Sequence, residues 1–259
     1  LPNKKGWDFD KLGETVDLAV RFMDNVNDVT KVPLHEQKLS LLDKRRIGLG
    51  VLGYASALMM MKVQYGSDEA LKLTKKLMSF ITNRAYRASA LIAKEKGAFP
   101  LYDKEKYLQS AFVEDVLNEE TVKLIEKHGI RNSYFFSIQP TVNSAVYSNL
   151  VSSGLEPIFN TGYYRTAIAT PDMVPDDLVL PTRIDYTNKK HDNIAEGWKW
   201  IKEGDENLLA IEHNGKTWKM CRNRGICKEE YVEDYGISHL KEAGEWDART
   251  KWANATAMN

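Results

Sequence analysis

The sequence has 259 residues, of which 43% are hydrophobic and 28% are charged, proportions typical of a folded globular protein. Thirty-six lysines and arginines balance 36 aspartates and glutamates, so no overall field favours binding to nucleic acid or to an anionic membrane surface. No apolar run reaches the roughly 18 residues of a membrane span, and the first ten residues lack the apolar core of a signal peptide. We therefore expect a cytoplasmic protein that binds any anion through a local site.

Cysteines and histidines give no metal-binding pattern. The two cysteines, Cys221 and Cys227, are too few for a disulfide framework, and the five histidines are scattered singly. We therefore predict no metal site. The two thiols are interpreted as free, small packed residues, and a redox pair that delivers electrons is the alternative.

The first third of the sequence has helical periodicity. Between residues 9 and 26 apolar side chains recur every three or four positions, and Asp8 stands where an N-cap is expected. Two further helical patterns lie on either side of a turn at residues 65–67. Ser67 is predicted to cap the second of them, because two acidic residues follow it in the first turn, where the helix dipole favours negative charge.

Three closely spaced glycines, Gly48, Gly50 and Gly53, match the GxGxxG pattern of dinucleotide-binding loops. That pattern requires a strand before it and an acidic residue at the end of a βαβ unit, and neither is visible here. We therefore interpret the glycines as positions where the backbone of a helix packs closely against a neighbour.

After Pro100 the sequence becomes mixed. Residues 101–129 predict short helices that end at His128 and Gly129. The aromatic run at residues 134–140 has the length of a buried strand, which ends at Pro140 because proline has no backbone donor.

A cluster of small polar residues follows this predicted strand. Thr141 is predicted to cap a helix over residues 142–150, which leaves unpaired backbone N–H groups at its start. Those groups, together with the side chains of Thr141, Asn143 and Ser144, suit a phosphate. A helix cap with nothing bound is the alternative that spacing alone leaves open.

Residues 186–220 interleave aromatic residues with lysines, a pattern that also occurs on nucleic-acid surfaces. Six acidic residues in the same stretch cancel the positive charge of its six lysines. We predict a solvated amphipathic helix around residues 194–201 and then a strand pair that turns at Asn214 and Gly215.

Three blocks of sequence carry a resemblance to a known family. They are RRIGLGVLGYASALMMMKVQYGSDEAL at residues 45–71, RNSYFFSIQPTVNSAVYSNLVSSGLEPIF at residues 131–159 and KEEYVEDYGISHLKE at residues 228–242. In this order and at these separations they resemble the large catalytic subunit of ribonucleotide reductase. The most specific part is the stretch from Pro140 to the S-G-x-E-P motif at residues 153–157.

The resemblance implies an α/β fold. Residues 1–259 would form the C-terminal half of the family's ten-stranded catalytic barrel, with a helix-rich N-terminal third and no complete second domain. It also implies a substrate-phosphate site, formed by Pro140, Thr141, Val142, Asn143 and Ser144.

The resemblance further implies a radical enzyme that converts ribonucleotides to 2′-deoxyribonucleotides. The P-T-x-N-S and GYASALMMM patterns are closer to the adenosylcobalamin-dependent class than to the class with a diiron, tyrosyl-radical subunit, which remains the alternative. The implied partners are a ribonucleoside di- or triphosphate, an external dithiol reductant, and a complementary reductase chain that carries the allosteric loops. Neither nucleic acid nor a membrane is expected as a partner.

The sequence departs from the family at several positions. Val142 stands where the family usually has glycine, and Ser56 stands where an aspartate is common. The radical cysteine of the family lies upstream of the three blocks, and Cys227 has the cysteine-x-glutamate spacing but Gly225 where asparagine is expected. We therefore assign no catalytic residue and expect a fragment of a split reductase whose radical cysteine comes from another chain. A non-catalytic relic that binds nucleotides or a partner is the second hypothesis.

Overall fold

The computed structural model describes residues 2–3, 6–192 and 197–247. They form two compact units. The first contains the described residues of Leu1–Thr161 and Asp234–Asn259, and the second is Gly162–Glu233. That the whole chain is one segment of a barrel domain stays a prediction. In the described ranges no helix is both long and apolar enough to cross a membrane.

The first unit is mainly helical. Its elements are β1 (Pro2–Asn3), β2 (Gly6–Trp7), α1 (Phe9–Val29), α2 (His35–Lys44), α3 (Tyr54–Met60), α4 (Asp68–Lys96), α5 (Lys104–Leu108), α6 (Ala111–Val116), α7 (Glu119–His128), α8 (Val142–Tyr147) and α9 (Tyr235–Glu242). The predicted helix-rich N-terminal third and the short helices before Gly129 are confirmed.

Two helix starts form as the sequence predicts. The Asp8 side chain accepts a hydrogen bond from the backbone N–H of Lys11 at 3.1 Å and caps α1. Ser67 Oγ accepts from the N–H of Ala70 at 3.2 Å and caps α4. Each cap satisfies a backbone donor that has no partner within its helix.

The core of the first unit surrounds α4, which packs against both α1 and α7. Its fully buried members include Val20, Leu58, Ile125 and Phe135. The ring of Phe135 stacks on Tyr86 with centroids 4.0 Å apart. A second cluster joins α9 to α3 through Ala55, Met59, Ile158, Ile237 and Leu240.

A buried polar network ties α1 to the chain on either side of α4. Asp24 is fully buried, and its Oδ1 accepts from Arg45 Nε at 2.9 Å and from Asn132 Nδ2 at 3.1 Å. Its Oδ2 accepts from Arg131 Nε at 3.3 Å. Asn132 also donates to the carbonyl of Arg45 at 3.0 Å and accepts from Ser89 Oγ at 2.9 Å. The buried carboxylate therefore has donors on both oxygens, which a buried charge requires.

We expect Asp24→Asn to lower the free energy of unfolding by about 3 kcal/mol, because it removes the fully buried counter-charge of Arg45 and leaves only Asp28, which is 40% exposed. Urea denaturation measures this loss. Glu95→Gln is the control, since it breaks the exposed Arg21–Glu95 ion pair and should change stability little. Equal small losses in both variants would show that the network does not stabilise the fold.

The three glycines of residues 48–53 precede α3 and do not lie within a helix as predicted; Gly53 is the N-cap residue of α3, with φ of 76°. Leu49 forms a parallel β-bridge with Phe136, and its N–H donates to the carbonyl of Phe135 at 2.7 Å. A Cβ on Gly50 would lie 2.6 Å from the carbonyl oxygen of Ser137. The predicted close backbone approach is therefore confirmed, but its neighbour is the stretch at residues 134–138.

That stretch was predicted to be a buried strand over residues 134–140. It is extended, but among the described residues it forms only the single bridge through Phe136. The prediction of a full strand is therefore wrong for this chain, because a ladder needs a paired neighbour along its whole length and Leu49 supplies one residue.

Substitution of the glycines tests this approach. We expect Gly50→Ala to destabilise the protein by about 1–3 kcal/mol, because the new methyl would overlap a backbone carbonyl that cannot rotate away. Gly48→Ala should cost less, since its Cβ would lie 3.2 Å from the Cβ of Ser137 and needs a smaller shift. Chemical denaturation of both variants measures the difference, and an equal cost would contradict the steric explanation.

The second unit is an antiparallel β structure. Its strands are β3 (Gly162–Ile168), β4 (Thr182–Asp185), β5 (Lys190–Asp192), β6 (Lys199–Glu203), β7 (Glu206–His213), β8 (Lys216–Cys221) and β9 (Gly225–Glu233). Five of them form one sheet in the order β3-β9-β8-β7-β6, and β4 pairs with β5. The core of this unit contains Ala169, Leu178, Trp198, Leu209 and Trp218.

One of the two predictions for this unit is confirmed. Asn214 and Gly215 have φ of 50° and 72° and join β7 to β8, as the hairpin signal indicates. The predicted helix around residues 194–201 is wrong where the chain is described, because Lys199–Glu203 is β6 and pairs with β7. Residues 194–196 of that prediction lie outside the described residues.

Candidate functional site

The predicted phosphate turn begins a short helix. α8 starts at Val142, and the carbonyl of Thr141 accepts from the N–H of Ala145 at 2.8 Å. The backbone N–H groups of Val142, Asn143 and Ser144 have no acceptor among the described residues. The side chains of all three are exposed, as is Pro140. The turn therefore presents three backbone donors and two polar side chains to solvent.

Thr141 occupies the N-cap position as predicted, but its hydroxyl makes no capping hydrogen bond. Thr141 Oγ1 donates to the carbonyl of Ser153 at 2.9 Å, and the Thr141 N–H donates to the same oxygen at 3.0 Å. Because its proton is used in this way, the hydroxyl can offer a ligand only lone pairs in this arrangement. The donors that face solvent are those of residues 142–144.

The helix is also shorter than predicted. It ends at Tyr147, whereas the sequence predicted residues 142–150. Asn149 and Leu150 have φ of 64° and 61°, a left-handed conformation that an α-helix cannot continue. The turn that follows leads the chain back to Ser152 and Ser153.

Val142, which replaces the expected glycine, fits the turn. It lies in helical conformation and is not among the residues with positive φ. Its side chain is 64% exposed, so the β-branched group meets no crowding. The backbone at this position therefore does not require glycine.

The stretch at residues 137–159 contains one charged side chain, that of Glu156. Its carboxylate lies near Gly154, where an added Cβ would be 2.8 Å from Glu156 Oε2. A phosphate at residues 142–144 would thus be bound by neutral donors of this stretch. Their direction, and not a local positive charge, would determine the affinity.

Sequence reasoning did not assign a role to Ser152 and Ser153, which support the turn. Ser152 Oγ accepts from the N–H of Ala55 at 3.1 Å, and its carbonyl accepts from the N–H of Gly53 at 2.7 Å. The carbonyl of Ser153 holds Thr141 as described above. The S-G-x-E-P motif was the only signal for these residues.

An open cleft of about 610 Å³ lies beside the C-terminal end of α8. It is lined mainly by apolar groups, among them Trp7, Tyr54, Val151 and Tyr235. The indole N–H of Trp7 is buried without a hydrogen-bond partner among the described residues. This volume is that of a pocket for a small organic molecule.

The two cysteines lie together in the second unit, on β8 and β9. Both are free and buried, as predicted, and they pack with Leu208 and Ile201. Burial raises the pKa of the Cys221 thiol to about 12, and a hydrogen bond with Cys227 adds to the rise. A thiol with this pKa is protonated at neutral pH and is a poor nucleophile.

The described residues contain no group of three or more His, Cys, Asp or Glu side chains that could hold a metal ion. That this chain carries no catalytic residue stays a prediction.

Comparison with known proteins gives one consistent family. The family model described as "Ribonucleotide reductase, barrel domain" matches residues 1–213. A vitamin B12-dependent ribonucleoside-diphosphate reductase of Thermoplasma acidophilum is 37% identical over 160 residues, which are 61% of this chain and 18% of that protein.

Two further relatives agree. A vitamin B12-dependent ribonucleoside-diphosphate reductase of Mycobacterium tuberculosis is 32% identical over 161 residues, covering 62% of this chain and 20% of that protein. A ribonucleoside-diphosphate reductase subunit alpha of Helicobacter pylori is 31% identical over 232 residues, which are 78% of this chain and 29% of that protein.

The chain thus spans less than a third of the length of these curated relatives. The family model, however, matches well over half of the chain. The matched residues include the turn at residues 140–144 and the residues 152–153 that support it. The chain therefore belongs to the ribonucleotide reductase barrel-domain family, and the predicted α/β class is confirmed.

Proposed function

We propose that this chain is part of a ribonucleotide reductase, which converts ribonucleotides to 2′-deoxyribonucleotides by radical chemistry. Within that enzyme the chain supplies the substrate-phosphate site at Pro140, Thr141, Val142, Asn143 and Ser144. The observation that carries the proposal is the set of three unpartnered backbone N–H groups at residues 142–144, in the sequence block most characteristic of the family.

Each residue of the turn has a distinct part in this proposal. Pro140 ends the extended segment, and Thr141 fixes the turn through its two bonds to Ser153. The N–H groups of Val142, Asn143 and Ser144 donate to phosphate oxygens, helped by the partial positive charge at a helix start. The side chains of Asn143 and Ser144 add donors to the same anion.

We propose adenosylcobalamin as the radical source of the assembled enzyme, because two of the relatives are named vitamin B12-dependent. Bound to that enzyme, the cofactor supplies the radical chemistry. Three clefts of the first unit have volumes of about 610–640 Å³, which suit much smaller molecules. A diiron, tyrosyl-radical subunit is the alternative source.

We further propose that a complementary reductase polypeptide supplies the radical cysteine and the allosteric loops, that an external dithiol restores the enzyme, and that the protein acts in the cytoplasm. An apolar stripe on α1 supports the association. Leu18, Phe22 and Val29 lie on one face of this helix and are 70%, 65% and 74% exposed. An exposed apolar stripe of this kind favours contact with another protein surface.

Removal of the Ser144 hydroxyl tests the phosphate site. Because a hydroxyl bond to a phosphate is charge-assisted, we expect Ser144→Ala to weaken ribonucleoside di- or triphosphate binding by the assembled enzyme about tenfold or more. Isothermal titration measures the dissociation constant. Ser148→Ala, at the other end of α8, is the matched control and should leave it unchanged. Equal affinity in wild type and both variants would leave the turn as a helix start with nothing bound.

The isolated chain tests the need for a partner. With adenosylcobalamin, a dithiol and ribonucleotides, the purified chain alone should form no deoxyribonucleotide, because no radical cysteine is assigned to it. Addition of the complementary polypeptide should restore turnover, measured as deoxyribonucleotide formed. Turnover by the chain alone that Cys227→Ser abolishes would assign the radical to Cys227. Nucleotide binding without turnover in the complete mixture would instead favour the non-catalytic relic.

A further inference from the structure

A buried serine–carboxylate pair connects α3 with the start of α9. Ser56 Oγ donates to Asp234 Oδ2 at 2.6 Å, and both residues are more than nine-tenths buried. The other oxygen of the carboxylate, Oδ1, accepts from the N–H of Gly236 at 2.8 Å and caps α9. One oxygen of Asp234 therefore binds Ser56 and the other caps α9.

The same serine holds the segment that supports the phosphate turn. Ser56 Oγ accepts from the N–H of Ser152 at 2.8 Å, so its hydroxyl is a donor on one side and an acceptor on the other. Because the Ser56 hydroxyl donates its hydrogen bond to Asp234, its lone pairs are free to accept from Ser152. The carbonyl of the following residue, Ser153, accepts the bonds from the Thr141 hydroxyl and the Thr141 N–H.

Hydrogen bonds thus connect Asp234 through Ser56 to Ser152, the peptide backbone leads from Ser152 to Ser153, and hydrogen bonds connect Ser153 to Thr141. Close backbone packing fixes the starting point of this connection, since a Cβ on Gly236 would lie 2.6 Å from the carbonyl oxygen of Ser56. The backbones of α9 and α3 are therefore in close contact at this point. The turn at residues 140–144 is held at the other end of this connection.

We propose that Ser56 and Asp234 are positioning residues for the phosphate turn, acting through Ser152, Ser153 and Thr141. This inference rests on the proposed phosphate site. It also gives the buried Ser56 hydroxyl a defined part, since this group bonds Asp234 and Ser152 at once. Here the carboxylate comes from Asp234 and reaches the N–H of Ser152 through the serine hydroxyl.

Asp234→Ser in the assembled enzyme separates the bond to Ser56 from the capping of α9. Serine is a good N-cap and keeps α9 capped, but its side chain is too short to reach Ser56. We expect the amides of Thr141 and Ser152 to exchange hydrogen about tenfold faster, and KM for the ribonucleotide to rise about tenfold while kcat changes little. Hydrogen exchange read by mass spectrometry and steady-state kinetics provide the two readouts.

Two further variants make the test specific. Asn118→Ala removes the side chain that caps α7 through Thr121, in the same unit but outside this set of bonds, and should move neither readout. In the double variant Asp234→Ser with Ser56→Asp, the new carboxylate can accept directly from Ser152. It should restore both readouts most of the way to wild type, which general destabilisation cannot explain.

The possible results separate this inference from the site itself. Unchanged exchange at Thr141 and Ser152 in Asp234→Ser would overturn the positioning role. Faster exchange with an unchanged KM would also overturn it, provided that Ser144→Ala still weakens binding. If Ser144→Ala leaves binding unchanged as well, the phosphate site itself is wrong and the positioning role falls with it.

Discussion

Backbone hydrogen bonds between residues 47–49 and 134–137 are the constraint on which the first unit depends. The N–H of Ile47 donates to Tyr134 at 2.9 Å, the N–H of Leu49 to Phe135 at 2.7 Å, and the N–H of Ser137 to Leu49 at 3.0 Å. They bring together two segments that are nearly 90 residues apart in sequence. Since α3 follows the first segment and the turn at residues 140–144 follows the second, this pairing places that turn beside α3.

The glycines and the buried Asp24 make this pairing possible in different ways. Gly50 has no side chain to keep the two backbones apart. Asp24 fixes Arg45, which precedes the first segment, and Asn132, which precedes the second, through hydrogen bonds to one oxygen. The network therefore holds the starts of both segments close together, which is consistent with their pairing.

The sequence predicted well those features that depend on neighbours in the chain. The caps at Asp8 and Ser67 and the hairpin at Asn214 and Gly215 each need only a few consecutive residues, and all three formed. The failures involve segments whose conformation is decided by a pairing partner. Lys199–Glu203 became a strand because it pairs with β7 across a tight turn at Gly204, whose φ is 58°. The Gly-Asp pair at residues 204–205 was a hairpin signal that could have indicated this.

The candidate site shows the same division. The block at residues 140–144 was recognisable from its sequence, because proline, hydroxyl and amide residues stand together. The use of the Thr141 hydroxyl was not, since its acceptor at Ser153 depends on the fold of the intervening turn. The link through Ser56 to Asp234 spans 178 residues, and no local pattern could reveal it.

The absence of basic side chains from residues 137–159 explains why such distant support matters. A lysine or arginine would attract an anion over several ångströms and would tolerate small errors in position. Neutral N–H groups act at short range and lose their effect when misaligned. A phosphate bound by the donors of Val142, Asn143 and Ser144 therefore depends on an accurately placed backbone. That placement comes from buried hydrogen bonds behind the turn, so the residues that determine affinity extend well beyond those that would touch the ligand.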